Sequence, residues 1–147
     1  MSNPGISIIR KFEGLKLKAY LCPAKKWTIG YGNTAYEDGS PVQQGDVITR
    51  DRADRLLLHT VAEFERGVRR RVTSRINANQ LGALTSFAFN VGLGNFERSR
   101  LLRFVNENPN NPAIRNEFMR WTRAGGQVLR GLQRRREAEA NLYFTAV

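Results

Sequence analysis

Apolar residues fall along the chain in two textures, a helical spacing of three and four and a strand-like alternation. From Pro4 to Phe12, Ile6 and Ile9 lie three apart and Ile8 and Phe12 four apart, which predicts a short helix with one apolar face. Ser2 or Asn3 would cap it, with Pro4 in the first turn, and Gly14 would stop it. From Leu15 to Ile48 the texture changes. Leu15, Leu17 and Ala19 alternate with lysines, Trp27-Thr28-Ile29-Gly30-Tyr31-Gly32 follows, and Gly39, Pro41 and Gly45 punctuate the rest. This predicts a small antiparallel sheet of two or three short strands. Thr49 then reads as the N-cap of a long helix with Asp51 in its first turn. Ala53, Leu57, Val61, Phe64, Val68 and Val72 form one apolar stripe along it. Further helices are expected at about 79–91, 99–106, 111–123 and 129–143, separated by Asn77, Gly92, Gly94, the Pro109 to Pro112 stretch and Gly125-Gly126.

The expected fold class is therefore α+β, mainly α. A single domain over 1–147 would contain a small sheet lobe at about 13–48, a linking helix at 49–73, and a helical lobe at 74–147 packed with the N-terminal helix 4–12. A cleft between the lobes would be the default place for a ligand.

Composition narrows the chemistry. The fractions, 41% hydrophobic and 25% charged, are those of a globular protein. One cysteine excludes an intramolecular disulfide, and with His59 the only imidazole no thiolate- or histidine-rich metal site can be built. No stretch approaches the roughly 18 apolar residues that span a membrane. The opening residues lack a signal-peptide pattern, so a soluble protein made without a classical export signal is expected. The net charge of +11 draws the surface to polyanions: nucleic acid, anionic lipid or acidic wall polymer.

One acidic residue stands out. Glu13 ends the first predicted helix, where a carboxylate faces the negative end of the helix dipole. That position costs stability and favours the protonated form. On its own it would more often end a helix or pair with one of the many arginines. Eight residues separate it from Cys22, and five more separate Cys22 from Thr28, which opens Thr28-Ile29-Gly30-Tyr31-Gly32.

With this spacing the chain resembles the phage-type lysozymes, the endolysins of glycoside hydrolase family 24, whose signature is Glu, eight residues, Asp or Cys, five residues, Thr. "FEGLKLKAY" matches the family's first motif and "WTIGYGNT" its second, usually "TIGYGHT". "NQLGALTSFAFNVGLGNFERSRLL" and "AGGQVLRGLQRRREAEANLY" resemble the helix and turn facing the cleft and the closing segment. The resemblance runs nearly end to end and implies a lysozyme-like fold. It also implies hydrolysis of the β-1,4 bond between N-acetylmuramic acid and N-acetylglucosamine in peptidoglycan, with inversion, for host lysis and phage release. No cofactor or metal is implied. The implied partners are peptidoglycan and, indirectly, a separate phage-encoded pore through which the protein leaves the host cytoplasm for the wall; a monomer is expected.

By position Glu13 matches the general acid, a carboxyl that stays protonated to donate to the leaving oxygen. Cys22 stands where most relatives carry Asp. It would orient water as a partly ionised thiol, its proton loosened by Lys16, Lys18, Lys25 and Lys26. Alternatively it is a neutral hydrogen-bond partner beside a positioning Thr28, or an inert buried cysteine. Thr28 matches the hydroxyl that holds water, although Thr is also simply a good strand former. Gly32, Thr34, Phe89 and Ser99 match saccharide contacts, while Phe87 reads as core. The family's usual His after the second glycine is Asn33 here. The resemblance suggests that Arg135 or Arg136 turns inward to hold Glu13 or a neighbouring carboxylate; for a run such as Arg134-Arg135-Arg136 the ordinary reading is a solvated face. Phe118, Trp121 and Leu132 read as core, and His59 as structural.

Two other classes compete. A nucleic-acid-binding helical protein would explain +11, "RGVRRRV" and "LQRRREAEA", but not the glycine-rich strand or the spacing around Glu13. A membrane-disrupting C-terminal helix would rest on Leu129, Leu132, Ala140 and Tyr143, too few for strong insertion.

Overall fold

A computed structural model describes residues 3–147. They form two compact units: Ile9–Glu63, and Phe64–Val147 with the N-terminal residues up to Ile8. No helix among the described residues is long and apolar enough to cross a membrane.

Helix α1 covers Ile6–Glu13, so Glu13 is its last residue and Gly14 follows with φ +71°. Asn3 starts the segment: its side-chain oxygen accepts the Gly5 N–H at 2.7 Å, and its amide donates to Glu65 at 2.8 Å and to the Thr85 hydroxyl at 3.2 Å. Ser2, the other capping candidate, lies outside the described residues.

In the Ile9–Glu63 unit, β1 (Lys16–Leu21) and β2 (Trp27–Gly30) pair antiparallel, with Tyr20 opposite Thr28, Leu21 opposite Trp27, and an irregularity between Lys16 and Tyr20. The two-strand outcome is the smaller of the expected sheets. Further pairing in this unit is limited to isolated bridges, among them Lys18 to Val47 and Ala35 to Pro41. Ala19, Ile29, Val42 and Leu56 make a small core, with Trp27, Tyr36 and Ile48 packed against it.

Helix α2 runs Arg50–Arg71, and the Thr49 hydroxyl accepts the Arg52 N–H at 3.1 Å, as an N-cap should. Its apolar stripe is buried: Ala53, Leu57, Val61 and Val68 are almost inaccessible. Residues 50–63 belong to the first unit and 64–71 to the second.

The second unit is built around α3 (Ala78–Val91), with nine consecutive buried residues from Gln80 to Ala88. A helix apolar on most faces is the one a bundle surrounds. Asn77 and Gln80 form a reciprocal capping box at its start. α4 (Leu93–Arg98), α5 (Arg100–Glu107), α6 (Ile114–Met119) and α7 (Arg130–Tyr143) complete the unit, and α3 packs against α7. Phe87 sits at the centre, edge-on to Phe118 at 5.7 Å and Trp121 at 5.5 Å. Leu132, expected in this core, is only half-buried and outside the core cluster.

Two short elements differ from the sequence-based expectation. Gly92 and Gly94 do not open a loop. Gly92, at φ +94°, ends α3 and begins α4 within one residue. Gly125 and Gly126 turn a two-stranded hairpin, β3 (Arg123–Ala124) with β4 (Gln127–Val128), too short to show any alternation. α6 is also shorter than the 111–123 expected.

Candidate active site

The end of α1 and the β1–β2 hairpin bring Glu13, Cys22 and Thr28 into the Ile9–Glu63 unit. Strand pairing sets the geometry. Tyr20 and Thr28 are direct partners, so their side chains share a face, and Cys22, two residues on from Tyr20, continues it. Ala19 and Ile29 occupy the opposite face and enter the core. Past β2 the chain folds back on itself: Ile29 and Asn33 exchange both backbone hydrogen bonds, at 2.8 and 2.9 Å, around Gly30 and Gly32 with φ +68° and +91°. This turn lays bare backbone against the acid. A Cβ on Gly32 would sit 3.3 Å from the nearer Glu13 carboxylate oxygen, in a backbone conformation that side chains rarely adopt.

Cys22 is half-buried at the start of a tight turn. Its N–H donates to the Lys26 carbonyl at 3.0 Å, and its carbonyl accepts the Lys25 N–H at 2.8 Å. The thiol is held below its ordinary value, first by the Lys26 backbone N–H and then by the Thr28 hydroxyl. Hydrogen bonds, not the neighbouring lysine charges, lower it, which corrects the expectation placed on Lys16, Lys18, Lys25 and Lys26. Thr28 is buried and its hydroxyl donates to the Lys26 carbonyl at 3.0 Å. A hydroxyl has one proton, so Thr28 satisfies either that carbonyl or the sulfur, and its oxygen stays free to accept.

Tyr20 belongs with these residues and was not singled out from the sequence. Tyr20 is exposed, and its phenol is pushed up, first by partial desolvation and then by the negative charges of Cys22 and Glu13. The signal was present in the alternation: a residue two before Cys22 in a strand shares its face.

Among the expected saccharide contacts, Gly32 and Thr34 are exposed in this same unit. Phe89 and Ser99 belong to the other. Phe89 is half-buried, its ring 5.2 Å from Phe64. Ser99 is the N-cap of α5; its hydroxyl donates to the Phe96 carbonyl at 2.7 Å and accepts the Leu102 N–H at 3.0 Å. It can accept one more hydrogen bond but has no proton left to donate. Asn33 is buried and its amide donates to the Thr60 hydroxyl at 2.8 Å.

The arginine run is split. Arg134 is solvated, whereas Arg135 and Arg136 turn inward and are fully buried beside the neighbouring carboxylate Glu139, at 3.2 and 3.0 Å. The Ser86 hydroxyl donates to Glu139 at 2.6 Å, and Arg136 donates to Asn90 at 2.6 Å while lying 5.0 Å from the Phe87 ring. Burial pushes the Glu139 carboxyl up, and the two guanidiniums and Ser86 pull it back. His59 is exposed, 3.5 Å from Glu63 on its own helix. No cluster of three His, Cys, Asp or Glu side chains able to hold a metal occurs among the described residues.

A mainly helical chain with a small hairpin that carries this Glu, Cys and Thr pattern is matched by the phage lysozyme family model over residues 10–139, and the chain belongs to that family. It is 42% identical over 147 residues to an endolysin of Bacillus phage B103, a match that covers 99% of this chain and 54% of that protein. The chain thus spans about half the length of that relative. An endolysin of Acyrthosiphon pisum secondary endosymbiont phage 1 is 36% identical over 150 residues, covering 99% of each. Among solved structures, the muramidase domain of SpmX from Asticaccaulis excentricus superposes with a TM-score of 0.87 at 34% identity, covering 99% of this chain and 97% of that one.

Proposed function

We propose that this protein is a peptidoglycan N-acetylmuramidase, an endolysin of glycoside hydrolase family 24. It cleaves the β-1,4 bond between N-acetylmuramic acid and N-acetylglucosamine to lyse the host and release phage. The observation that best supports this is the meeting of Glu13 with the bare Gly32 backbone, beside a hairpin face that carries Tyr20, Cys22 and Thr28. Glu13 acts as the general acid and gives a proton to the glycosidic oxygen as the C1–O bond breaks. Positive charge develops on the sugar, and water attacks C1 from the opposite side. Thr28, donating to the Lys26 carbonyl, accepts one O–H of that water. The Cys22 thiolate accepts the other and takes the proton. The Lys26 backbone N–H, the largest of the causes that lower the thiol, supports this role over the neutral one. Gly32 and Thr34 contact the saccharide from the Ile9–Glu63 unit, and Phe89 and Ser99 are assigned as saccharide contacts by their match to the family's motifs. The enzyme needs no cofactor, acts as a monomer, and passes from the host cytoplasm to the wall after a separate phage-encoded pore opens.

Digestion of purified peptidoglycan followed by NMR tests the assignment. N-acetylmuramic acid at the new reducing end, appearing first as the α anomer, is the expected result. N-acetylglucosamine ends, or a β anomer first, would overturn the bond or the inverting mechanism respectively.

A further inference from the structure

The positive charge is carried unequally. Ile9–Glu63 holds nine Lys+Arg against seven Asp+Glu, a balance of +2, and contains all five lysines of the chain. The remainder holds fifteen arginines against six acidic residues, a balance of +9. Catalysis at Glu13 has no use for arginines gathered at the end of α2.

Arg66, Arg69, Arg70 and Arg71 occupy that end, and Arg75 follows in the next loop. The helix terminus itself is already satisfied. Arg71 donates to the Gly67 carbonyl at 2.9 Å and pairs with Glu97 at 3.2 Å, while the Arg71 carbonyl accepts from Asn106 at 3.2 Å. Arg69 faces Glu65 at 3.7 Å. Arg66, Arg70 and Arg75 are exposed and make no ion pair or hydrogen bond among the described residues. A recess of about 380 Å³ follows the helix end, lined by Arg69, Val72, Thr73, Ser74, Arg75 and Ile76. The Thr73 N–H is taken by Asn106 at 2.8 Å and the Ser74 hydroxyl by the Val105 carbonyl at 2.8 Å, so guanidiniums are the main donors left to a ligand.

We propose that this recess, with its Arg69 and Arg75 and the exposed Arg70 next to Arg69 on the helix end, binds a polyphosphodiester of the bacterial cell wall, a chain of alternating polyol and phosphate, as an attachment separate from the catalytic residues. Guanidinium forks match phosphate oxygens two at a time, which an ammonium cannot do. No carboxylate lines the recess to repel the polymer, and Val72 and Ile76 offer apolar surface to the polyol carbons. Nucleic acid has the same backbone chemistry, but no aromatic ring lines the recess for bases to stack on. The wall as the polymer's source rests on the muramidase reading; binding itself does not.

Binding of labelled poly(glycerol phosphate) to the full chain, with single-stranded polyadenylate and poly-L-glutamate as competitors, tests the proposal. The double variant Arg70→Gln/Arg75→Gln should lose about tenfold or more in affinity, while the charge-matched Arg130→Gln/Arg134→Gln stays within about threefold. Hydrolysis of phosphate-free peptidoglycan should be unchanged in both. Equal losses in the two variants, or poly-L-glutamate competing as well as poly(glycerol phosphate), would overturn a specific site in favour of general charge. Polyadenylate competing better, with the same loss in Arg70→Gln/Arg75→Gln, would make the surface a nucleic-acid site. Because binding is read without lysis, a failed muramidase assay and a failed binding assay are separate results.

Discussion

At Cys22 the backbone N–H of Lys26, and after it the hydroxyl of Thr28, lower the thiol from its ordinary value. A carboxylate at the same place would be charged at neutral pH without help. This makes two predictions. The pH midpoint for alkylation of Cys22 should lie below that of a free thiol and move up in Thr28→Val, which removes a donor. Lys26→Gln should leave it in place, because the backbone N–H survives. A shift in Lys26→Gln as large as in Thr28→Val would restore the lysine-charge explanation. The sign for catalysis follows: lowering the thiol lets the thiolate persist to lower pH, so the acid limb of the rate profile should track this midpoint. Cys22→Ser, which cannot ionise in this range, should lose about 10²-fold in kcat, within the usual span for general base catalysis. Cys22→Asp should restore the rate and extend it to more acid pH; equal rates in Cys22→Ser and wild type would remove Cys22 from the reaction. At this scale Glu13, Cys22 and Thr28 were picked out by several ordered motifs that resemble the phage-type lysozymes; the residues alone offered only the place of Glu13 at a helix end. Tyr20 depended on register with Thr28, and the burial of Arg135 and Arg136 depended on Ser86 from another helix and Glu139 one turn on. A run of three arginines looks solvated until its partners are known.

Among the elements, α3 carries the packing of its unit, and its tightest approach is to the N-terminal segment. A Cβ at Gly82 would lie 2.7 Å from Pro4 Cγ and 2.8 Å from the Gly5 nitrogen. Alanine gains about 1 kcal/mol of helix propensity over glycine. Forcing backbone apart costs about 1–3 kcal/mol. The clash is with backbone and a proline ring, neither of which can swing away, so the cost wins. Gly82→Ala should lower the thermal midpoint by a few degrees, at about 2–4 °C per kcal/mol for a chain of this size. A raised midpoint would show that the segment yields cheaply. The long elements were readable because their signals repeat: the α2 stripe spans many turns, and Asn77 and Gly92 mark both ends of α3. The α4 helix and the β3–β4 hairpin were not. Gly92 serves two helices at once, and two-residue strands have no period to read.

For the whole molecule, the +11 charge does not choose a function, but its distribution does limit what it does. With +9 outside Ile9–Glu63, the attraction to an acidic wall that the proposed function calls for would act mainly through arginines outside the unit that holds Glu13. Long-range attraction is screened over about 8 Å at physiological salt and about 3 Å at 1 M. Wall-clearing kcat/KM should therefore fall as salt rises, through KM and not kcat, whereas a salt-independent KM would argue against steering. The central claim is that Glu13 supplies the proton for cleavage of a wall glycan. Glu13→Gln keeps the shape beside Gly32 and removes the acid. The direct measurement is release of reducing ends from purified peptidoglycan by wild type and Glu13→Gln at equal concentration. Loss of about 10²-fold or more, with binding to the wall retained, is the result this account predicts. Undiminished release by Glu13→Gln would contradict it.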